Sequence, residues 1–306
     1  MTATDYGPRS PDAGHRSGFV AIVGRPNAGK SALLNRLTGQ TLAIVTPVPQ
    51  TTRARLQGIV TLPTAQIVLV DTPAFHEPRQ RLGARMVEDV RGAAEDADII
   101  LWVVDASVPP TRDDELVAAA LRAARSPIVL ALNKIDRLRR GEAAGPPGMA
   151  GMPPIAAVVP VSAATGAGSA QLVETLAGLL PEGPRYFPQD MMTDQQEQQL
   201  VREFIREQAM LLTREEVPHG IAVEIEEFTT REGQDLIYIR AVVLVERDAH
   251  RKILIGAGGR KLREIGRRAR ARIESLLGSR VYLDLWVKVA KDWRNKDALI
   301  RRIHPS

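Results

Sequence analysis

The stretch that most constrains the fold is Gly24-Arg25-Pro26-Asn27-Ala28-Gly29-Lys30-Ser31, which fits the pattern G-x-x-x-x-G-K-[ST]. It lies between an apolar run, Phe19 to Val23, and a helical pattern from Ser31 to Leu37. In that context the glycines let backbone N–H groups wrap phosphates, and the helix N-terminus adds its partial positive charge. Lys30 is then placed to reach the outer two phosphates, and the Ser31 hydroxyl to bind Mg²⁺. The pattern continues downstream. Apolar runs at Gly58–Thr61, Gln66–Val70, Ile99–Val104, Ile128–Leu132 and Ala156–Val161 predict strands. Gly83–Glu95, Asp113–Ala124 and Ala170–Leu180 predict helices between or after them. Alternation of this kind predicts an α/β domain with a mainly parallel sheet covered on both faces.

Three further loops fall at carboxyl ends of predicted strands, where open α/β sheets bind ligands. Asp71, Thr72, Pro73 and Ala74 follow Gln66–Val70, and a carboxylate there can hold Mg²⁺ through water. Asn133-Lys134-Ile135-Asp136 follows Ile128–Leu132. The Asp136 carboxylate can accept two hydrogen bonds from the guanine N1–H and exocyclic amine. Adenine lacks that donor pair and would leave the charge unpaired, so GTP and GDP are the expected nucleotides. Asn133 can reach the base edge and tie loops together, and the Lys134 methylenes can cover the base plane. Ser162, Ala163 and Ala164 follow the last strand and can offer a backbone N–H to the guanine O6.

Pro181 to Pro188 breaks the pattern and marks a domain boundary. The expected organisation is a flexible tail over 1–17, a nucleotide domain over 18–183, a linker over 184–193 and a second, smaller α+β domain over 194–306. Residues 139–154 hold four Gly, four Pro and two Met and predict a surface insertion. In the second domain a helix capped by Thr193 or Asp194 runs to about Leu212. Strands at Ile221–Thr230 and Leu236–Glu246, a glycine-rich turn, a helix at Arg260–Leu277 and a strand at Val281–Val289 follow. Residues 250–306 carry 16 Lys+Arg and 5 Asp+Glu, a net of +11; the rest carry 25 and 31, a net of −6. So concentrated a basic block fits a nucleic-acid or anionic partner, or a solvated helix face. Within it, Ile255-Gly256-Ala257-Gly258-Gly259 holds a G-x-x-G turn, the backbone clamp of KH domains for single-stranded RNA. Arg251, Lys252, Arg260, Lys261 and Arg263 cluster around it, where RNA phosphates would lie. Leu262, Ile265, Ala269, Ile273 and Leu276 form an apolar stripe, which turns most of Arg267, Arg268, Arg270 and Arg272 toward solvent or RNA. Trp286 and Trp293 are candidate stacking residues, with Trp286 expected in the core because its strand is apolar.

The chain lacks cysteine, which excludes a disulfide framework and thiolate metal sites and fits a cytoplasmic protein. No apolar run has the length of a bilayer span, and no secretory signal opens the chain. The five histidines show no metal-ligand spacing.

Taken together, Gly-Arg-Pro-Asn-Ala-Gly-Lys-Ser at 24, Pro-Gln-Thr-Thr-Arg at 49, Asp-Thr-Pro at 71, Asn-Lys-Ile-Asp at 133, Ile-Gly-Ala-Gly-Gly at 255 and Leu-Trp-Val-Lys-Val at 285 closely resemble the bacterial Era family of GTPases. The resemblance covers roughly residues 18–300. It implies a Ras-like GTPase domain joined to a type II KH domain, and a monomer. It implies work on the small ribosomal subunit, with the KH domain holding the 3′ end of its 16S rRNA. It also implies loose peripheral association with the inner membrane surface beside the cytoplasmic pool. Pro49 to Arg53 aligns with the first switch loop, where Thr51 or Thr52, by preference Thr52, brings a hydroxyl to Mg²⁺. Catalysis is expected to rest on Lys30, Thr52 and the second switch at Ala74 and Phe75. The family usually has glycine in place of Ala74. Phe75 stands where many GTPases place a water-orienting glutamine, so intrinsic turnover is expected to be slow. Related GTPases point to Asn27 as a K⁺ ligand. Two other readings are a guanine-nucleotide-binding RNA scaffold with negligible hydrolysis and a tRNA-modification GTPase.

Overall fold

The computed structural model describes residues 14–43, 56–71, 92, 95–139, 148, 151–189, 191, 193, 197–213, 217–230, 236–291 and 293. The chain divides into two compact units, one chiefly of residues 1–194 and one chiefly of 195–306. Each is built around its own sheet.

In the first unit the strands are β1 (Arg16–Val23), β2 (Leu56–Thr61), β3 (Ala65–Asp71), β4 (Ile99–Asp105), β5 (Ile128–Asn133) and β6 (Ala157–Pro160). They lie in the order β2-β3-β1-β4-β5-β6. All neighbours are parallel except β2 and β3, whose tight connection closes with Leu62 N–H donating to Ala65 O at 2.7 Å. Every residue of β3, β4 and β5 is buried, as expected of strands covered on both faces. Helix α1 (Lys30–Thr38) and α3 (Ser169–Leu179) pack together over β1 and β3. Helix α2 (Arg112–Leu121) covers the other face, where Trp102, Val104, Leu130 and Leu132 meet Val117 and Leu121. Met152 and Ile155 join that cluster, so the end of the segment expected as a surface insertion packs on the core.

The first strand starts three residues earlier than its apolar run, at Arg16 rather than Phe19. The physical reason is polar. Arg16 donates to the carbonyls of Gly178 and Leu180, and the Ser17 hydroxyl to that of Pro184. Residues 184–187 are strapped to the same sheet by fully buried Gln66. Its Oε1 accepts from Tyr186 and Phe187 N–H, and its Nε2 donates to Phe187 O. The helix expected at Gly83–Glu95 lies almost wholly outside the described residues.

The second unit has helix α4 (Glu197–Leu211), strands β7 (Ala222–Thr230) and β8 (Leu236–Val245), helices α5 (Asp248–Ile255) and α6 (Arg260–Leu277), and strand β9 (Arg280–Val289). The sheet runs β7-β8-β9, antiparallel then parallel. Its core joins Phe204 and Ile205 of α4, Ile239 and Val243 of β8, and Ile265, Ala269 and Ile273 of α6. The α6 stripe thus falls where its spacing predicts.

Two expectations here, both about tryptophans, are corrected. Trp286 is not core: it is 57% exposed, because β9 alternates and its inward residues are Val281, Leu283, Leu285 and Val287. Trp293 is buried instead, with Nε1 donating to Gly220 O at 3.0 Å beside Ala222, Val242 and Leu244. Arg272 does not face solvent with its neighbours on α6. It pairs with buried Glu207 on α4 and lies 4.4 Å from the Phe204 ring centroid, a cation–π contact.

Candidate functional site

Between β1 and α1 the backbone makes turns that side chains resist. Gly24 has φ 149° and Gly29 φ 100°, and Asn27 takes a left-handed φ of 62°. A Cβ at Gly24 would lie 2.4 Å from Val103 O, and one at Gly29 2.2 Å from Asn133 Nδ2. Both glycines are therefore required by close approach, the first to β4 and the second to the end of β5. Lys30 folds back over the turn, Nζ donating to Gly24 O (2.8 Å) and Arg25 O (3.2 Å). Burial pushes the Lys30 ammonium below the usual lysine range; Asp71 opposes the shift and Arg25 adds to it. Ser31 Oγ donates to Asp71 Oδ2 at 2.9 Å, joining the start of α1 to the buried end of β3. This hydroxyl and carboxylate form a hard oxygen pair beside the phosphate turn, a donor set that fits Mg²⁺.

The loop after β5 is locked onto this turn. Asn133 is 1% exposed; its Nδ2 donates to Ala28 O (2.9 Å) and its Oδ1 accepts from Ala163 N–H (3.0 Å). One amide therefore ties together the phosphate turn and the loop at Ser162–Ala164, as its position predicted. Lys134, with a left-handed φ of 67°, donates to Asn27 O at 2.7 Å and Asp105 Oδ2 at 2.6 Å. Asp136 is exposed, and Ser162 Oγ donates to its Oδ1 at 2.5 Å. Ser162 Oγ also accepts from Thr165 N–H at 3.1 Å, so the serine orients both the carboxylate and its own loop.

Three residues of this cluster were not anticipated. Asp105 ends β4, holds Lys134 and lies 3.5 Å from Arg25. Burial would raise its pKa, but hydrogen bonds from Lys134 and Ser107 outweigh that and hold it below the usual carboxylate value. Asp114, 1% exposed, pairs with Arg25 at 3.0 Å and caps α2, its Oδ2 accepting from Thr111 N–H at 2.9 Å. Arg36 on α1 donates to Ala163 O (3.0 Å) and Ala164 O (2.7 Å), bracing the loop whose N–H groups were expected to meet the base. Asp105 had a signal, an acid at the carboxyl end of a strand run. Arg36 had none, being one of many basic residues on helix surfaces. Thr51, Thr52, Thr72, Pro73, Ala74 and Phe75 lie outside the described residues.

In the second unit α5 ends at Ile255, and the turn to α6 uses left-handed φ values at Gly256 (69°), Gly258 (57°) and Gly259 (75°). A Cβ on Gly256 would meet Lys261 Cβ at 2.9 Å, whereas at Gly258 and Gly259 it would meet open space. The turn is braced from α6: Arg260 Nε donates to Ala257 O (3.3 Å) and an Arg263 guanidinium N–H to Gly258 O (2.9 Å). Beside it opens a groove of about 460 Å³ lined by Gly258, Gly259, Leu262, Arg263, Gly266, Arg267, Arg270, Leu283 and Leu285. Arg251 and Lys252 on α5 and Arg260 on α6 are exposed outside this lining, and Lys261, also outside it, is half-buried. The turn and the cations around it were thus legible in the sequence, and the apolar floor was not. That floor comes from β9, brought beside α6 by tertiary packing alone.

A family model described as 50S ribosome-binding GTPase matches residues 19–134, and one described as KH domain matches residues 216–294. GTPase Era of Halothermothrix orenii is 45% identical, the match covering 94% of this chain and 98% of that protein. GTPase Era of Carboxydothermus hydrogenoformans is 44% identical, with 94% and 97% covered. The crystal structure of a point variant of Aquifex aeolicus Era bound to GDP·AlF4⁻ matches at a TM-score of 0.84 and 40% identity, covering 94% of this chain and 98% of that one. Era in complex with MgGDPNP and nucleotides 1506–1542 of 16S ribosomal RNA matches at 0.83 and 38%, with the same coverage. Two units that carry the glycine turn at 24–31, the Asn133–Asp136 loop and the G-x-x-G turn, related along nearly the whole chain to these proteins, place it: the chain belongs to the Era family of GTPases.

Proposed function

We propose that this GTPase is a GTP-switched RNA-binding factor in small-subunit ribosome assembly, holding the 3′ end of 16S rRNA in the groove beside Gly256–Gly259. The observation that carries the reading is the pairing, in one chain, of loops tied by Asn133 into a nucleotide cradle with a basic, apolar-floored groove at a G-x-x-G turn. In the cradle, backbone N–H groups of residues 24–31 take the phosphates. Lys30 leaves its loop carbonyls for the outer phosphates, and Ser31 and Asp71 hold Mg²⁺, Asp71 through water. Mg²⁺ would neutralise charge developing on the phosphates. Asp136, oriented by Ser162, reads guanine, and Lys134, anchored by Asp105, lies on the base plane. The first-switch threonine, Thr52, and the segment at Ala74 and Phe75 complete the site. A K⁺ ion at exposed Asn27 would add positive charge where Phe75 supplies no hydrogen bond. In the second module, which we assign to residues 194–306, Leu262, Leu283 and Leu285 offer a stacking floor for unpaired bases, and Arg263 and Arg270 a wall for phosphates.

Linkage supplies the test, because a switch demands that the two ligands couple. RNA of the small-subunit 3′ end should bind the full chain more tightly with a non-hydrolysable GTP analogue and Mg²⁺ than with GDP. Equal affinity in a calorimetric titration under both conditions would contradict switching. No binding at low salt would contradict the RNA assignment.

A further inference from the structure

Helix α6 carries an acidic residue, Glu264, in its second turn, next to the groove-lining residues Arg263 and Arg267. Glu264 lies among Arg260, Arg263, Arg267 and Arg268, and it takes three charge-assisted hydrogen bonds from two of them. Arg267 Nε and NH2 donate to its two oxygens at 2.9 and 2.8 Å, the bidentate fork geometry, and Arg268 Nε donates to Oε1 at 2.6 Å. Arg267 lines the groove; Arg268 does not. The pairs lie at i,i+3 and i,i+4 on an exposed helix face, where such pairs contribute little to stability. Their consequence for a phosphate ligand is larger. A guanidinium whose fork is filled by a carboxylate cannot offer the same fork to a phosphate, and the carboxylate repels the approaching anion. The two guanidiniums hold the Glu264 pKa down at about 2, so the competing charge persists at any pH in which RNA binding is measured.

We propose that Glu264 is a specificity-determining residue. It withdraws Arg267 and Arg268 from sequence-blind phosphate binding and restrains the Arg267 guanidinium at the edge of the groove, as a surface for an unpaired base. Arg263 and Arg270 remain for the backbone: Arg263 donates to the turn at Gly258 O, and neither pairs with a carboxylate among the described residues. On this account the arginine-rich helix divides its labour. Arg272 is spent on Glu207 and Phe204, Arg267 and Arg268 are restrained by Glu264, and affinity for RNA in general is kept low so that base contacts decide.

The inference rests on the RNA-binding reading above, and its test separates the two. Full-length wild type and Glu264→Gln, which keeps shape and helix propensity, are titrated across a salt series. The probes are RNA of the small-subunit 3′ end and a uridine homopolymer of equal length. Releasing the arginines should tighten homopolymer binding about two- to fivefold at low salt and steepen its log–log salt slope by about 0.7–1.4, for one to two new phosphate contacts. Binding of the 3′-end RNA should change less, so the ratio between the two RNAs narrows. Replacing Arg267 by Gln should weaken the 3′-end RNA with little change of salt slope. If Glu264→Gln leaves homopolymer affinity and slope unchanged while wild type binds the 3′-end RNA, this inference alone falls. If wild type binds neither RNA, the RNA assignment and this inference fall together.

Discussion

At the scale of single residues, the proposed reading gives Asp136 the discrimination between purines. It is exposed at the cradle and oriented by Ser162. Changing it to Asn exchanges acceptor for donor, so GTP affinity should fall by about 10²–10⁴-fold and xanthosine triphosphate should be gained, read by calorimetry. Asp114 is the buried residue on which Arg25 leans, and it also caps α2. Asp114→Ala should cost about 2–3 kcal/mol in the unfolding of the nucleotide unit, from a lost cap and a broken ion pair to Arg25, measured by urea titration. Asp105 adds a pH signature. Its folded pKa lies below the ordinary 3.8, so its contribution is present above that value and disappears as pH falls through the folded pKa. Asp105→Asn should therefore be less stable than wild type at pH 7, with the difference closing below about pH 4. Most of these partners were hidden in the sequence for one reason. Gly24 to Ser31 and Asn133 to Asp136 announce themselves by spacing, whereas Arg36 and Asp114 act through contacts to loops remote in the chain.

At the scale of elements, periodicity marks the fold well where one face dominates. Helix α6 follows its apolar stripe from Arg260 to Leu277, and β3 to β5 follow their apolar runs nearly residue for residue. Composition misleads where alternation decides. In β9, Val281, Leu283, Leu285 and Val287 alternate with Tyr282, Asp284, Trp286 and Lys288, and period two puts Trp286 outside. The start of β1 was obscured because hydrogen bonds to residues 178–184, not apolar side chains, extend it. The G-x-x-G turn gives an element-scale prediction. Side chains at Ala257 and Gly258 would point into open space or solvent, and aspartate tolerates the left-handed φ that Gly258 holds. A double Asp variant should thus stay folded, with an unchanged circular dichroism spectrum, yet lose RNA binding by about tenfold or more through repulsion of phosphates. Gly256→Ala should act differently, destabilising the fold through its contact with Lys261 Cβ at 2.9 Å.

At the scale of the whole molecule, the +11 is confined to residues 250–306: residues 195–249 of the same unit hold 6 Lys+Arg and 12 Asp+Glu, and residues 1–194 hold 19 of each, so the surplus of cations that suits RNA lies at one end of the second unit. On the proposed reading guanine nucleotide and RNA occupy separate units of one chain, and RNA governs turnover. GTP hydrolysis by the full chain, measured with and without small-subunit 3′-end RNA, tests this most directly. Lys30→Ala is the control, expected to lower turnover about 10²–10³-fold while leaving RNA binding without nucleotide intact. Hydrolysis should be slow for the protein alone and rise severalfold when the RNA is added, a rise abolished by Lys30→Ala and by the double Asp turn. A rate unchanged by saturating RNA would contradict the coupling of the two units.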